Sequence, residues 1–333
     1  MTVPKQIVDQ LAGIPNVTVS EGALLSEHTR FGIGGPAGLY VEASSEAALC
    51  TALHMAQSSG ASYSVIGAGT NLIVADEGFD GIVLRYTANR ISSDGVTVQA
   101  EAGAELQALV DYSIDHGLRG LETMTGIPGS VGAAIYGNAG AYGHSIDERV
   151  AQVRFLDGNA YRLFTAPECR FRYRESIFKQ HKDWIILSVT LAMSSAGADE
   201  LRRAADEIYK IRLAKYPLDM KCAGSIFKNL ILAELPESVR RQIPERVIRE
   251  GKAPSAYFLE QVGAKGMRSG GIQVADYHAN LIYNTGGGTA RELCELIGEL
   301  KARVRSQFGL ELEEEVQYVG FSAEVLAGSQ LAP

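Results

Sequence analysis

Apolar side chains recur every three or four positions across SEAALCTALHMAQSSG, residues 45–60, and again across AELQALVDYSIDHG, residues 104–117. That spacing gathers them on one helical face, and Gly60 and Gly117 stand where a glycine commonly ends the last turn. The pattern is clearest in TARELCELIGELKARVRSQFG, residues 289–309, with an apolar face of Leu293, Leu296, Ile297, Leu300 and Val304. Thr289 is placed to cap this helix, Glu292 to complete a capping box, and Gly309 to terminate it. DELRRAADEIYKIRLAKYP, residues 199–217, predicts a charged helix that stops before Pro217, since the residue ahead of a proline disfavours helical backbone. SYSVIG, GIVLRY, GVTVQAEAG, AQVRFL and WIILSVTLAM predict strands, several with apolar residues at every second position. Short helices and strands mixed in this way indicate α+β domains.

Composition narrows the function classes. A chain of 333 residues has length for two or three domains and can bury a large core without staples. The net charge of −8 is spread along the chain with no basic run, which argues against nucleic acid as a partner. Cys50, Cys169, Cys222 and Cys294 lie far apart and make no CxxC or His/Cys pair with metal-ligand spacing, so no metal site is expected and a reducing compartment fits. MTVPKQIVDQLAGIPNVTVS lacks the apolar stretch of a signal peptide, and WIILSVTLAM is too short to span a bilayer. A cytoplasmic protein without membrane insertion is expected.

Glycine is clustered, in FGIGGPAG at 31–38, IGAGTN at 66–71, GIPGSVGAAIYGNAGAYG at 126–143 and NTGGGT at 284–289. IGAGTNL follows a strand, but Leu72 occupies the third glycine position of a dinucleotide fingerprint and the next predicted element, GIVLRY, is a strand where a helix is required. No phosphate-loop, HExxH or G-x-S-x-G motif occurs, and the six histidines are scattered without ligand spacing. Two readings of the glycine clusters stand side by side. They are sharp turns with close helix packing, or loops whose backbone amides and missing side chains admit a diphosphate-bearing cofactor.

VIGAGTNLIVADEGFDGIVLR at 65–85, followed by GLETMTGIPGSVGAAIYGNAGAYG at 120–143, resembles the FAD-binding domain of vanillyl-alcohol-oxidase (PCMH) type flavoproteins. TRFGIGGPA at 29–37, FRYRESIFK at 171–179, GSIFKN at 224–229, GGIQVADYHANLIYN at 270–284 and LEEEVQYVG at 312–320 extend the likeness over most of the chain. In that order the motifs resemble the UDP-N-acetylenolpyruvoylglucosamine reductase family, whose members are also called UDP-N-acetylmuramate dehydrogenases.

The resemblance implies a two-part FAD-binding domain and a C-terminal substrate domain, with divisions expected at 1–87, 88–214 and 215–320 and a tail at 321–333. It implies FAD, reduced by NADPH, as the source of a hydride that adds to the terminal carbon of an enolpyruvyl ether on UDP-N-acetylglucosamine. Charge then develops beside the carboxylate, where it has to be stabilised and protonated. Arg174 in YRES matches the arginine that steadies this charge, Ser225 the proton donor, and Glu315 the glutamate that polarises the substrate carboxylate. Apart from the family, Ser225 reads as a residue at a turn opening a strand, and Glu313, Glu314 and Glu315 as a solvated strand end. Lys228 reads either as an outward strand lysine or as a charge that eases proton loss from Ser225.

The flavin positions that the likeness implies are Gly67, Ala68, Gly69, Thr70, Asn71 and Leu72 in the first loop, and Gly126, Gly129, Ser130, Gly132, Asn138 and Gly140 in the second. Tyr173, Arg212, Lys215 and Asn229 are the implied contacts to the sugar nucleotide. The stretch between Arg174 and Ser225 has no room for the inserted loop that carries a lid tyrosine in longer members, so the chain resembles the shorter class and no lid tyrosine is assigned. A monomer is expected. Two other readings are a different oxidoreductase of the same fold and a non-catalytic paralogue that binds nucleotide sugars. Binding alone has no use for a proton donor, which sets Ser225 against the second.

GAGTN contains neither histidine nor cysteine, the residues that tether flavin covalently, and only His144 follows the second loop closely. FAD is therefore expected to be held without a covalent bond. Heat or acid should release free yellow cofactor and leave the chain at its unmodified mass; a denatured chain heavier by one FAD would refute this.

Overall fold

In the computed structural model, which describes residues 3–322 and Leu326, the four periodic segments form the helices Glu46–Ser58, Leu106–Asp115, Ala198–Lys215 and Ala290–Phe308. The five alternating segments form strands, at Tyr63–Ile66, Phe79–Tyr86, Thr97–Glu101, Val150–Asp157 and Ile185–Ala192. By its contacts the chain divides into two units, one made of Met1–Ala23, Ala37–Ala68 and Asp80–Leu218, the other of Leu24–Pro36, Gly69–Phe79 and Asp219–Pro333.

The two largest sheets of the first unit have four and five strands. One orders Val17–Glu21, Ala37–Ala43, Phe79–Tyr86 and Tyr63–Ile66, with the last two parallel; the other orders Ala160–Thr165, Val150–Asp157, Ile185–Ala192, Thr97–Glu101 and Ile91–Asp94, all antiparallel. One apolar core joins them, from Leu49 and Leu53 through Ile82 and Leu84 to Val98, Phe155 and Val189, none more than 1% exposed. Ala198–Lys215 contributes little to it. Only Leu201 and Ala205 of that helix are buried, as its charged composition predicts, and it ends one residue short of the Tyr216–Pro217 pair.

The second unit is organised around Ala290–Phe308. Its predicted apolar face is buried, and the capping box forms: Thr289 accepts from the Glu292 N–H while the Glu292 carboxylate accepts from the Thr289 N–H. A second carboxylate shares the work. Asp76 accepts from the Ala290 and Arg291 N–H groups at 2.7 and 3.0 Å, filling donors that the first turn leaves without intrahelical partners. The antiparallel strands Arg268–Ser269, Ile272–Ala275 and His278–Asn284 form this unit's largest sheet.

One expectation is corrected. GIVLRY is not the first element after the first glycine loop, because Leu72–Val74 intervenes as a short strand parallel to Gln317–Val319. A run of three apolar residues is too short to display a period, and its partner comes from the far end of the chain. The helix Val131–Tyr136 inside the second glycine cluster also escapes periodicity, since small residues fill most of its length.

Cys169, Cys222 and Cys294 are buried and unbridged. Burial, aided by Glu168, pushes the Cys169 thiol up to about 12, and burial with Asp76, Glu314 and Glu295 does the same to Cys294. Burial also raises Cys222. A thiol reagent at mildly alkaline pH should therefore label the partly exposed Cys50 of the native protein and reach the other three only after denaturant is added. Rapid labelling of two or more thiols in the native state would contradict this burial.

Candidate active site

Within the first unit, the second glycine loop lies along the chain that follows the strand Thr97–Glu101. Val131 and Gly132 donate to the carbonyls of Ala104 and Ala102, each at 2.8 Å, and Gly129 accepts from the Leu106 N–H at 2.9 Å. A Cβ on Gly132 would stand 2.9 Å from the Ala102 Cβ, so this glycine is required by close packing whether or not a ligand binds. Ser130 caps the following helix by accepting from Ala133, and a Cβ on Gly67 would come within 2.9 Å of its Oγ. Gly67 of the first loop and Ser130 of the second are thus brought together.

Arg174 is built into the same loop. Its guanidinium donates to the carbonyl of Gly140 at 2.8 Å and approaches that of Asn138 at 3.5 Å. Asn138 is itself buried, donating through its amide to Arg172 O and accepting from Asp147 N. The Arg174 backbone has φ +57°, a left-handed conformation that costs a residue with a Cβ about 1–2 kcal/mol and that its surroundings must hold. The Lys179 ammonium helps to hold it, donating to Arg174 O at 2.8 Å. The Tyr173 ring lies 5.2 Å from the guanidinium. GNAG and YRES, separate motifs in the sequence, therefore form a single assembly.

Arg212 reaches the other end of this loop from the last turn of Ala198–Lys215. A Cβ on Gly126 would meet the Arg212 side chain at 3.3 Å, and the Gly126 N–H donates to Gln107 Oε1 at 2.6 Å. Arg212 and Lys215 lie 5.4 and 5.0 Å from the Tyr216 ring, two cations at a helix C-terminus where the helix dipole favours them. Within the second loop the Gly126, Val131 and Gly132 amides and the Asn138 side chain are bonded inside the protein, and Gly126 and Gly132 leave the main chain without side-chain cover. His144 at the loop's end is exposed and its ring pairs with Glu148 at 2.9 Å.

In the second unit, GSIFKN lies between two chain segments and bonds to both. On one side Ser225 bridges to Leu281, and Asn280 wraps Phe227: its Oδ1 accepts from the Phe227 N–H at 2.9 Å and its Nδ2 donates to Phe227 O at 2.8 Å. The Asn280 amide also donates to Ser255 Oγ at 2.8 Å, so a buried side chain with every role used stands in for a strand. On the other side Phe227 bridges to Glu314, Glu315 N–H donates to Ile226 O at 2.7 Å, and Lys228 N–H donates to Glu313 O at 2.9 Å. Ser225 and Glu315 accordingly occupy neighbouring, directly bonded segments. Gly224, with φ +79°, makes the turn into the first of them.

The three acids have three different surroundings. Leu312, Glu314 and Val316 are buried and the residues between them are not, the alternation of an extended strand. Glu314 pairs with the Lys301 ammonium at 2.9 Å, the two side chains 0% and 7% exposed. Glu313 faces solvent and pairs with Lys228, which is 8% exposed. Glu315 is half-buried, and its main chain is gripped from the first glycine loop, where Asn71 Nδ2 donates to Glu315 O at 2.9 Å. In that loop Gly69 accepts from the Arg30 N–H at 3.1 Å, and a Cβ on Gly69 would collide with His28 O. Asn229 accepts from the Ser255 N–H at 3.3 Å at the start of the helix Ser255–Gln261. Sequence reasoning passed over Asn280 and Lys301. A lone asparagine inside the apolar run HANLIYN was the available signal for the first; a lysine beside a predicted apolar helix face gave no comparable sign for the second.

Residues 216–319 match the family described as UDP-N-acetylenolpyruvoylglucosamine reductase, C-terminal domain, and residues 37–163 match the FAD binding domain family. The chain is 60% identical over 311 residues to the UDP-N-acetylenolpyruvoylglucosamine reductase of Solibacter usitatus, covering 93% of this chain and 100% of that protein. It is 34% identical to the enzyme of that name from Carboxydothermus hydrogenoformans, covering 91% and 94% of the two chains. The crystal structure of the reductase from Thermus caldophilus superposes with a TM-score of 0.71 at 27% identity, covering 91% of this chain and 98% of that one.

The buried pair of Lys301 and Glu314 yields a prediction about stability. Removing one member of such a pair leaves a buried charge uncompensated, which typically costs about 3–5 kcal/mol. Lys301→Met should lower stability by that order in denaturant titration, and combining it with Glu314→Leu should recover most of the loss. A single variant as stable as the parent would show that the pair is not buried as described.

Proposed function

Because this chain belongs to the UDP-N-acetylenolpyruvoylglucosamine reductase family, we propose that it reduces UDP-N-acetylglucosamine enolpyruvate to UDP-N-acetylmuramate for peptidoglycan precursor synthesis. The single observation that carries the catalytic part of this reading is the pairing of GSIFKN with Glu313–Glu315, which sets a hydroxyl and a carboxyl on directly bonded segments. FAD, when bound, would take a hydride from NADPH and deliver it to the terminal enolpyruvyl carbon. Gly67, Ala68, Gly69, Thr70, Asn71 and Leu72, with Gly126, Gly129, Ser130, Gly132, Asn138 and Gly140, are the positions proposed for holding it without a covalent bond.

The protein's own groups then manage charge and proton. Arg174, its guanidinium pre-set by the carbonyls of the second loop, draws charge onto the substrate carboxylate. Glu315 acts on the same carboxylate in protonated form or through a water, since an ionised glutamate would oppose the charge being formed. Ser225 transfers its hydroxyl proton to the carbon beside the carboxylate, and solvent later restores it. Lys215, Asn229, Arg212 and Tyr173 hold the sugar nucleotide. In this division of labour residues 1–87 and 88–214 form the two cofactor-binding parts, the second also supplying Tyr173, Arg174 and Arg212 to the substrate, and 215–320 form the substrate-binding part, in a chain acting as a monomer.

Separating the two half-reactions tests the central step. Hydride transfer from NADPH needs no proton on the substrate, so Ser225→Ala should bleach the flavin at close to the parental rate. Reoxidation by the enolpyruvyl sugar nucleotide should slow by about 10²–10⁴, the usual contribution of a positioned general acid. Ser225→Cys should recover part of that loss. Stopped-flow traces in which substrate reoxidises the alanine variant at normal speed would remove Ser225 from the mechanism.

A further inference from the structure

Asn71 stands in the glycine loop that the family likeness gives to the flavin, yet its polar atoms are directed at the strand that carries Glu315. Its Nδ2 donates to Glu315 O and its own carbonyl accepts from the Gln317 N–H, both at 2.9 Å, so the two bonds bracket Val316. The parallel pairing of Leu72–Val74 with Gln317–Val319 continues directly from that bracket. On the opposite edge, Glu315 N–H donates to Ile226 O at 2.7 Å. Both main-chain groups of Glu315 are therefore engaged, the N–H by the segment bearing Ser225 and the C=O by Asn71. The Gln317 side-chain amide lies 3.5 Å from the same carbonyl, too long to replace the Asn71 bond.

We propose that Asn71 is a positioning residue for Glu315, fixing the peptide from which the carboxyl projects, and that this is its principal role. The proposal rests on the assignment of Glu315 to the reaction made above. The two bonds hold the two peptides that flank the Glu315 Cα, one through its N–H and the other through its C=O; with only the first held, the second can turn about the intervening backbone bonds, and with both held the origin of the side chain is fixed. Asparagine suits the task because one residue supplies the amide donor and, two bonds along the backbone, the carbonyl acceptor. Aspartate would keep the volume but set a carboxylate oxygen against the Glu315 carbonyl in place of a donor.

The holoenzyme of Asn71→Ala, and of Asn71→Asp in case the alanine variant folds poorly, should be compared with Glu315→Gln and with the double variant Asn71→Ala/Glu315→Gln. Reoxidation by the enolpyruvyl sugar nucleotide should slow about tenfold, the order expected for one lost hydrogen bond, and by a larger factor than bleaching by NADPH. The double variant should be no slower than Glu315→Gln alone, because residues acting as a unit are not additive. Hydrogen exchange of the peptide covering residues 312–319 should quicken in the Asn71 variants without substrate present. Multiplicative effects, or a tenfold loss of flavin affinity with the two half-reactions slowed alike, would overturn the positioning role and make Asn71 a cofactor ligand. If Glu315→Gln reoxidises at the parental rate, the assignment of Glu315 fails and takes the proposal with it. That outcome is distinct from a slow Glu315→Gln beside a normal Asn71→Ala, which sinks the proposal alone.

Discussion

Two opposite charges with almost no access to water, Lys301 and Glu314, determine which way the acidic strand faces. Burying either charge alone would cost several kcal/mol, so the pair forms as a unit or the strand does not seat at all. Once Glu314 is turned inward, the alternation of an extended chain leaves Glu313 and Glu315 on the more exposed side. A one-residue slip would still set a glutamate opposite Lys301, but it would turn Leu312 and Val316 outward and bring charged neighbours into their places, so the apolar flanks hold the register. The structural ion pair and its apolar flanks thereby withdraw Glu314 from solvent and leave Glu313 and Glu315 as the accessible carboxyls.

The GSIFKN segment is held with similar redundancy. Its amides and carbonyls are shared between the strand ending in Glu315 and the Asn280 side chain, and Asn280 also meets Ser255. A hydroxyl expected to deliver a proton gains from such support, because a rigid frame lowers the reorganisation that proton transfer would otherwise demand. Arg174 follows the same logic with different means. Its backbone is held in a left-handed conformation while its guanidinium rests on carbonyls of the glycine loop, so the charge is presented without a flexible search.

Long periodic elements were legible from residues alone, and short ones were not. Ala290–Phe308 could be read from cap to terminator because five apolar positions, a capping box and a final glycine all agree. Leu72–Val74 could not, since three residues exhibit no period and the strand owes its existence to a partner at the other end of the chain. The candidate site divides along the same line. Arg174, Ser225 and Glu315 were legible through ordered motifs, whereas their supports, Asn280, Lys301 and the amide of Asn71, depend on contacts between distant segments. The acidic trio shows the limit most clearly: three consecutive glutamates are indistinguishable as letters and become distinct only in the fold, where Leu312 and Val316 set the alternation and a helix lysine meets the middle one.

The pairing of Leu72–Val74 with Gln317–Val319 has a consequence for how the protein is made. The segments Leu24–Pro36 and Gly69–Phe79 belong to a unit whose remaining chain starts at Asp219. During synthesis they emerge before that part and must wait, with apolar residues such as Phe31 and Ile73 lacking their eventual cover, until the chain as far as Val319 has left the ribosome. Asp76, which caps Ala290–Phe308, waits with them. The second unit is thus closed by a segment translated long after Leu72–Val74, and a ribosome stalled short of Val319 would leave a nascent chain whose early apolar strand has no partner and is open to capture by chaperones.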